Sequence, residues 1–277
     1  MHIAQITQWG EAPKYVETPA PELPSSDSDF VQVKVLAAGL HNVVRARAQG
    51  THYSAKTLPH IPGLDGVGTT ATGQHVYFST FALPTGSFSE VINLPKEDVA
   101  ALPEGVDPVQ VAAAMNPMLS SWMALRKRTF DLPPNFSVLI VGATSASGTL
   151  AIDVARHLGA KRIVGVARNL SALSQLGLDE TIEMKEPVEE TDFSKLGHVD
   201  VILDYVYGPI IAHLIGSLTT KAPVQYVQIG LLGSPTMQLN GVTLRSTNIT
   251  MRGAGPGSWS LGDLRGSCLI WQWQRRR

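Results

Sequence analysis

A run of small and hydroxyl residues in the middle of the chain has the composition of a phosphate-binding turn. It reads Gly-Ala-Thr-Ser-Ala-Ser-Gly over residues 142–148, after the apolar run SVLIV and before a segment with helical spacing. Small residues let the backbone approach a pyrophosphate, and the N-terminus of the next helix offers unpaired N–H groups and partial positive charge. The sequence therefore predicts a dinucleotide site formed by Thr144, Ser145, Ala146, Ser147 and Gly148.

The turn departs from a strict G-x-G-x-x-G pattern, because Ser145 holds the middle position. Gly148 still allows the helix to pack closely on the strand, and the hydroxyls of Thr144, Ser145 and Ser147 are suited to bind phosphate or to cap the helix. The alternative is an ordinary tight turn between a strand and a helix.

The end of the second strand distinguishes between nicotinamide cofactors. NAD enzymes place an acidic residue about 20 residues after the turn, where it holds the ribose 2′-hydroxyl. This chain instead has Arg168 and Asn169 there, with no acid. A guanidinium attracts a 2′-phosphate that a carboxylate would repel. We therefore expect NADPH, bound in part by Arg168 and Asn169; the alternative for Arg168 is a solvated surface arginine.

The secondary structure predicted around this turn differs between the first and second halves of the chain. In the first hundred residues, alternating runs at 30–36, 75–78 and 89–94 predict short strands joined by Gly- and Pro-rich turns. A helix follows, with Asp107 as its cap, and Pro117 should break or kink it. From residue 137 strands alternate with helices, which predicts an α/β fold with a doubly wound parallel sheet and right-handed crossovers.

Composition excludes several classes of protein. The 277 residues suggest about two domains. The net charge of −1 argues against nucleic acid as the main partner. A single cysteine, Cys268, leaves no internal disulfide and no multi-cysteine zinc site, and it fits a reducing compartment. We see no signal peptide and no apolar run long enough to span a bilayer, so we expect a cytoplasmic protein without membrane association.

Several segments, in order along the chain, resemble the medium-chain dehydrogenase/reductase superfamily, in its zinc-free quinone oxidoreductase and enoyl reductase branch. The resemblance covers about residues 1–265. It is carried by residues 39–68, 73–78 and 86–125, the turn at 142–148, the segment LDYVYGP and residues 244–258.

The resemblance implies a GroES-like catalytic domain over residues 1–117 and an NADP-binding Rossmann domain over residues 118–265. It implies an NADPH-dependent oxidoreductase that transfers hydride to a small molecule, namely a quinone, an enone or an enoyl thioester. It also implies a homodimer, formed through the edge strand at the segment NITMRG, and exposed strand edges favour such pairing.

The resemblance also bears on metals. Zinc-dependent members carry a Gly-His-Glu stretch where this chain has Gly63, Leu64 and Asp65, and there is no cysteine before residue 268. We therefore expect no catalytic zinc. The histidines His41, His52, His60 and His75 lack ligand spacing and are interpreted as turn and surface residues.

Family members of this type use a tyrosine to assist protonation or to polarise a substrate carbonyl, and Tyr53 resembles that residue. One extra residue lies between Gly50 and Tyr53, a packing role for Tyr53 stays open, and the neighbouring His52 is an alternative acid. The resemblance further assigns cofactor contacts to the amide side chains of Asn42 and Asn116 and, after the fifth strand, to Gly230, Leu231 and Leu232.

The last residues depart from the family. Nothing after about Arg265 resembles it, and residues 266–277 form an atypical tail with two tryptophans and three terminal arginines. We interpret this as a truncation that would leave apolar surface exposed in the first domain. The alternative function is therefore a non-catalytic NADPH-binding or interaction protein on the same fold.

Overall fold

A computed structural model of the chain describes residues 1–267. Two compact units are present within the described residues: the first comprises residues 1–116 together with residues 265–267, and the second comprises residues 117–264. Cys268 and the rest of the C-terminal tail lie outside the described residues. Within residues 1–267, no helix is both long and apolar enough to cross a bilayer.

The first unit is built mainly from short antiparallel strands. Its elements are β1 (His2–Gln5), β2 (Lys14–Glu17), β3 (Phe30–Ala38), α1 (Asn42–Ala48), β4 (Asp65–Thr70), β5 (His75–Ser79), β6 (Val91–Pro95), β7 (Val99–Ala101) and the start of α2 (Pro108–Lys127). The strand order in its main sheet is β6-β3-β4-β5-β7.

Alternation along β5 shows how this sheet is buried on two sides. Val76 and Phe78 pack into one apolar cluster with Val33, while the intervening Tyr77 packs into another with Met115 of α2. Successive side chains in a strand point to opposite faces, so the alternating pattern of the sequence places each residue in one of two cores.

Helix α2 begins as expected but does not end where expected. The Val109 N–H donates to Oδ1 of Asp107 (2.9 Å), which caps the helix. Of the two outcomes expected at Pro117, the break is wrong, since α2 continues through it to Lys127, and the kink stays a prediction. Ser120 donates its hydroxyl to the Pro117 carbonyl (2.6 Å), so one carbonyl of this turn has a side-chain partner.

The second unit is a six-stranded parallel sheet with helical connections. Its elements are β8 (Ser137–Val141), α3 (Ala146–His157), β9 (Arg162–Ala167), α4 (Leu170–Leu173), β10 (Glu180–Glu183), β11 (Val201–Asp204), α5 (Pro209–Ser217), β12 (Val224–Gln228), α6 (Gly241–Ser246), β13 (Ile249–Gly253) and α7 (Leu261–Ser267).

The strand order β10-β9-β8-β11-β12-β13 is that of a dinucleotide-binding Rossmann sheet. The central strands β8, β9 and β11 are almost entirely buried, as parallel strands covered by helices on both faces must be. Leu139 and Val141 pack with Ile211 of α5, whereas Val138 and Ile140 are fully buried outside that cluster. The chain reverses its direction of progress between β8 and β11, so ligands are expected beyond the carboxyl ends of these strands.

Candidate active site

The turn between β8 and α3 is anchored by hydrogen bonds to β9 and α3, while Thr144 and Ala146 within it are exposed to solvent. The Gly142 N–H donates to the Val166 carbonyl (2.8 Å), and Gly142 has a φ of +89°. The Ser145 hydroxyl caps α3 by accepting from the Gly148 N–H (3.0 Å). The backbone N–H groups of Thr144, Ala146 and Ser147 donate to no residue within 1–267. Three free donors at a helix N-terminus form an anion cradle.

Gly148 is where the helix lies closest to this turn. A Cβ at residue 148 would overlap the Gly142 carbonyl oxygen and would lie 2.9 Å from the Ala143 Cα. Both are backbone atoms and cannot rotate away, so a side chain at this position would move α3 off β8. The predicted close packing at Gly148 thus has a direct geometric cause.

The two residues that follow β9 are both exposed, but their side chains differ in what they bind. Arg168 forms no hydrogen bond or ion pair within the described part of the chain. Asn169 caps α4, where its Oδ1 accepts from the Ala172 N–H (3.0 Å). Arg168 is therefore available to a ligand anion, whereas the Asn169 carbonyl oxygen is already engaged.

Asp204, the last residue of β11, organises the loop at the switch point. It is fully buried. Its Oδ1 accepts from the N–H groups of Val206 (2.8 Å) and Tyr207 (2.9 Å), and its Oδ2 accepts from the hydroxyl of Tyr226 (2.6 Å). These bonds fix the backbone of residues 205–207 directly beside the phosphate-binding turn.

Burial controls the protonation of this cluster. Desolvation raises the pKa of Asp204 in spite of its three hydrogen bonds, which favour the carboxylate. Desolvation, followed by the charge of Asp204, raises the pKa of Tyr226. Burial raises the pKa of Tyr205 to about 12, and its hydroxyl lies 3.3 Å from the Ser120 hydroxyl. The phenol of Tyr205 thus bonds within the second unit and acts as a packing residue.

The loop after β12 lies against the same segment. A Cβ at Gly230 would lie 2.5 Å from the Tyr205 carbonyl oxygen, and the Gly230 N–H donates to the Asp204 carbonyl (3.0 Å). Leu231 and Leu232 are each more than half exposed. The structure therefore brings Gly230, the phosphate-binding turn and the residues after β9 to the same edge of one sheet.

The remaining candidates belong to the first unit. Asn42 is exposed at the first position of α1, and Asn116 is half-buried within the continuous helix α2. Tyr53 is 64% exposed, with its ring centroid 4.1 Å from that of His52. Desolvation, and then the charge of Arg47, lowers the pKa of His52. His52 bonds through Nδ1 to the Ser54 hydroxyl (2.7 Å).

Comparison with known proteins identifies the family. No family model matches the chain. The Emericella nidulans protein named "Probable NADPH-dependent quinone reductase tdiC" is 34% identical, over 95% of this chain and 87% of its own length. The chloroplastic NADPH-dependent alkenal/one oxidoreductase of Arabidopsis thaliana is 28% identical, over 61% of this chain and 48% of its own length.

A solved structure of the quinone oxidoreductase from Thermus thermophilus, determined alone and with NADPH, superposes with a TM-score of 0.75. It is 25% identical in sequence, and the match covers 98% of this chain and 84% of that one. This chain belongs to the quinone oxidoreductases of the medium-chain dehydrogenase/reductase superfamily. The predicted fold class, a GroES-like β-rich part followed by a Rossmann sheet, is confirmed.

Sequence reasoning missed the role of Asp204 in this quinone oxidoreductase. The available signal is a single acid that ends a fully apolar strand, since such an acid is buried unless the strand ends before it. Its partner Tyr226 lies 22 residues away. No local pattern indicates that pairing.

The first prediction concerns Gly148. The substitution Gly148→Ala should lower the free energy of unfolding by about 1–3 kcal/mol, because the methyl group meets backbone atoms that cannot relax. Gly216→Ala is the matched control, since a Cβ there has no atom within 4 Å and lies inside α5. The control should be neutral or slightly stabilising. Urea unfolding measures both, and equal values for the two variants would contradict the close-packing argument.

The second prediction concerns the Asp204–Tyr226 pair. A raised folded-state pKa means that the contribution of Asp204 to stability is full below its unfolded pKa and is lost as pH rises through the folded value. Tyr226→Phe removes a donor to the carboxylate and should cost about 1–3 kcal/mol at neutral pH, and less at acid pH.

Tyr205→Phe is the comparison for this variant, because its hydroxyl bonds to neutral Ser120. The free energy of unfolding lost in Tyr205→Phe should be smaller and should not change with pH. Denaturant unfolding at neutral and acid pH measures both variants. If Tyr226→Phe loses the same free energy of unfolding at both pH values, the ionisation of Asp204 does not contribute to the effect.

Proposed function

We propose that this chain is a zinc-independent reductase that transfers hydride to a quinone, an enone or an enoyl-type acceptor. It is an NADPH-dependent oxidoreductase of the quinone and alkenal reductase type, and its cofactor is NADPH. The alternative, a non-catalytic NADPH-binding or interaction protein on the same fold, is not better supported.

One observation carries the proposal about the cofactor site. The three free N–H groups at the start of α3 and the unpaired Arg168 beyond β9 follow adjacent parallel strands. A diphosphate fits the first group and a 2′-phosphate fits the second, since both offer positive potential to an anion. In this proposal Thr144, Ser145, Ala146, Ser147 and Gly148 contact the diphosphate, Asn169 positions α4, and Asn42, Asn116, Gly230, Leu231 and Leu232 line the nicotinamide end.

The chain's own part in the reaction is to bind, orient and donate. Bound NADPH supplies the hydride from its nicotinamide ring. Tyr53 donates a hydrogen bond to the oxygen on which negative charge develops. Asp204 fixes the loop after β11 through the N–H groups of Val206 and Tyr207.

Zinc independence is proposed on the residues at the expected ligand positions. Leu64 stands where zinc-dependent members of the superfamily have histidine, and Leu64 cannot ligate a metal. In the described part of the chain, no three histidine, cysteine or acidic side chains are grouped closely enough to hold a metal ion. Chelation should therefore leave NADPH oxidation unchanged, and we expect stoichiometric metal analysis to find no zinc.

We further propose a homodimer in the cytoplasm. Among the described strands, β13 pairs only with β12, so its other edge is open to a second copy. Light scattering of the purified protein tests the dimer. The overall function is tested by following NADPH oxidation with 1,4-benzoquinone and 2-cyclohexenone, and binding of NADPH without oxidation in the presence of either acceptor would favour the non-catalytic alternative.

The third prediction concerns Arg168. Arg168→Ala should weaken NADPH binding by about tenfold, the effect of one charge-assisted contact at an exposed position, and should leave NADH binding unchanged. Lys161→Ala is the control, since it removes the same charge at the other end of β9. Titration calorimetry measures both cofactors. If both variants weaken NADPH binding equally, the effect comes from general electrostatics and Arg168 has no specific role.

The fourth prediction concerns Tyr53. Tyr53→Phe should lower kcat by about 100-fold with NADPH affinity unchanged, because it removes a donor to the developing oxyanion. Tyr15→Phe is the control in the same unit, where the ring is 76% exposed and stacks on His2. Steady-state kinetics with 1,4-benzoquinone provide the measurement. A Tyr53→Phe variant as active as the control would leave Tyr53 with a packing role only.

A further inference from the structure

A buried carboxylate and a histidine face each other in the first unit, and the proposed function gives neither a role. Nε2 of His41 lies 3.2 Å from Oδ1 of Asp65, and the two side chains are 10% and 2% exposed. Both atoms are buried, and within residues 1–267 neither forms a hydrogen bond, so they lie at ion-pair distance without a hydrogen bond between them. The Tyr77 hydroxyl donates to the other oxygen, Oδ2, at 3.0 Å. The Tyr77 hydroxyl, the Asp65 carboxyl group and the His41 ring thus lie side by side, with the imidazole at one end.

The buried carboxyl group of Asp65 needs a polar or charged partner. A buried carboxylate is costly unless it is hydrogen-bonded and faces a cation. Within the described residues Asp65 makes no ion pair with a lysine or arginine, and His41 is the basic side chain that faces its carboxyl group. A carboxylate beside a ring nitrogen orients the imidazole and stabilises a proton on it, as in acid–base sites.

The position of the ring is fixed by its surroundings. A Cβ at Gly39 would overlap Nε2 of His41, so the ring lies directly over the Gly39 backbone. The Gly39 N–H donates to the Asp65 carbonyl (3.3 Å), which ties the end of β3 to the start of β4. His41 is the N-cap residue of α1, yet its side chain makes no capping bond. The imidazole is therefore held towards Asp65 and is not used to terminate the helix.

The other ring nitrogen of His41 has no such partner. Nδ1 hydrogen-bonds to no residue in the described chain, and about a tenth of the side chain is exposed. When Nε2 faces Asp65, Nδ1 is the nitrogen that can give a proton to a bound molecule and take one back from water. This arrangement is suited to a proton donor.

We propose that His41, held by Asp65 and Tyr77, donates the proton that accompanies hydride transfer. The inference rests on the proposed reductase function. With an enone, hydride adds to the β-carbon as the carbon–carbon π bond breaks, and the resulting enolate takes the Nδ1 proton of the His41 imidazolium at its α-carbon. With a quinone, the hydride and the same proton give the hydroquinone. Neutral His41 then regains a proton from water.

This role differs from that of Tyr53. The two residues flank opposite ends of α1, a helix of seven residues that spans about 10 Å. Tyr53 hydrogen-bonds to the acceptor oxygen and keeps its proton, whereas His41 gives its proton away. The two tasks are therefore separable by experiment.

The fifth prediction is chemical rescue. His41→Ala should lower the rate of 2-cyclohexenone reduction by about 100-fold, the contribution typical of a general acid, with NADPH affinity unchanged. Added imidazole should raise the rate of the His41→Ala variant at least tenfold, since it replaces the missing acid. His75→Ala, which removes an exposed histidine at the start of β5, should have no effect and no response to imidazole.

Two further variants keep the ring but disturb its support. Asp65→Asn removes the charge with little change in volume, and Gly39→Ala displaces the ring from Asp65. Both should lower the rate at least tenfold without loss of NADPH binding, measured by calorimetry. If His41→Ala does not fold, Asp65→Asn decides the question, and an unchanged rate in that variant overturns the assignment.

Two outcomes separate this inference from the function on which it rests. A wild-type protein that oxidises NADPH, together with a His41→Ala variant that is as active or that imidazole does not rescue, overturns the proton-donor role alone. A wild-type protein that binds NADPH and reduces neither acceptor overturns the proposed function, and the inference with it.

Discussion

The site depends on the close approach of three backbone segments at the switch point of the parallel sheet. Residues 205–207 run between the turn after β8 and the loop after β12, and there is no room for a side chain at Gly148 or Gly230. Buried Asp204 holds the middle segment through two backbone N–H groups. Because the backbone is fixed there, the N–H groups at the start of α3 remain free for a ligand.

Features that depend on neighbours in sequence could be predicted from the sequence. The strand–turn–helix pattern at residues 137–157 is local, and so are the cap at Asp107 and the alternation that divides the β5 side chains between two cores. The Rossmann sheet follows from alternating strands and helices, because handedness and short connections leave few other topologies. The fold class needed nothing beyond these rules and the resemblance.

Features that depend on distant residues could not be predicted. Asp204 meets Tyr226, and His41 meets Asp65, only after the sheets have formed. The sequence favours a turn or surface histidine at His41 because nothing in its own segment indicates a carboxylate. The expected break at Pro117 is absent for a related reason. The local cost of the proline is real, but Met115 and Trp122 are buried on either side of it, and burial of that kind outweighs a lost backbone hydrogen bond.

Burial separates the residues that build this molecule from those that meet a ligand. Asp204 and Asp65 are buried acids, so each needs internal partners, and the structure provides them. Arg168 is an exposed cation that costs little to leave unpaired in water, so the fold alone does not require it. His41 lies between these cases, since one ring nitrogen faces a buried acid while the other has no partner within the described residues. A side chain whose two ends have such different surroundings is well placed to pass a proton from solvent to a bound molecule.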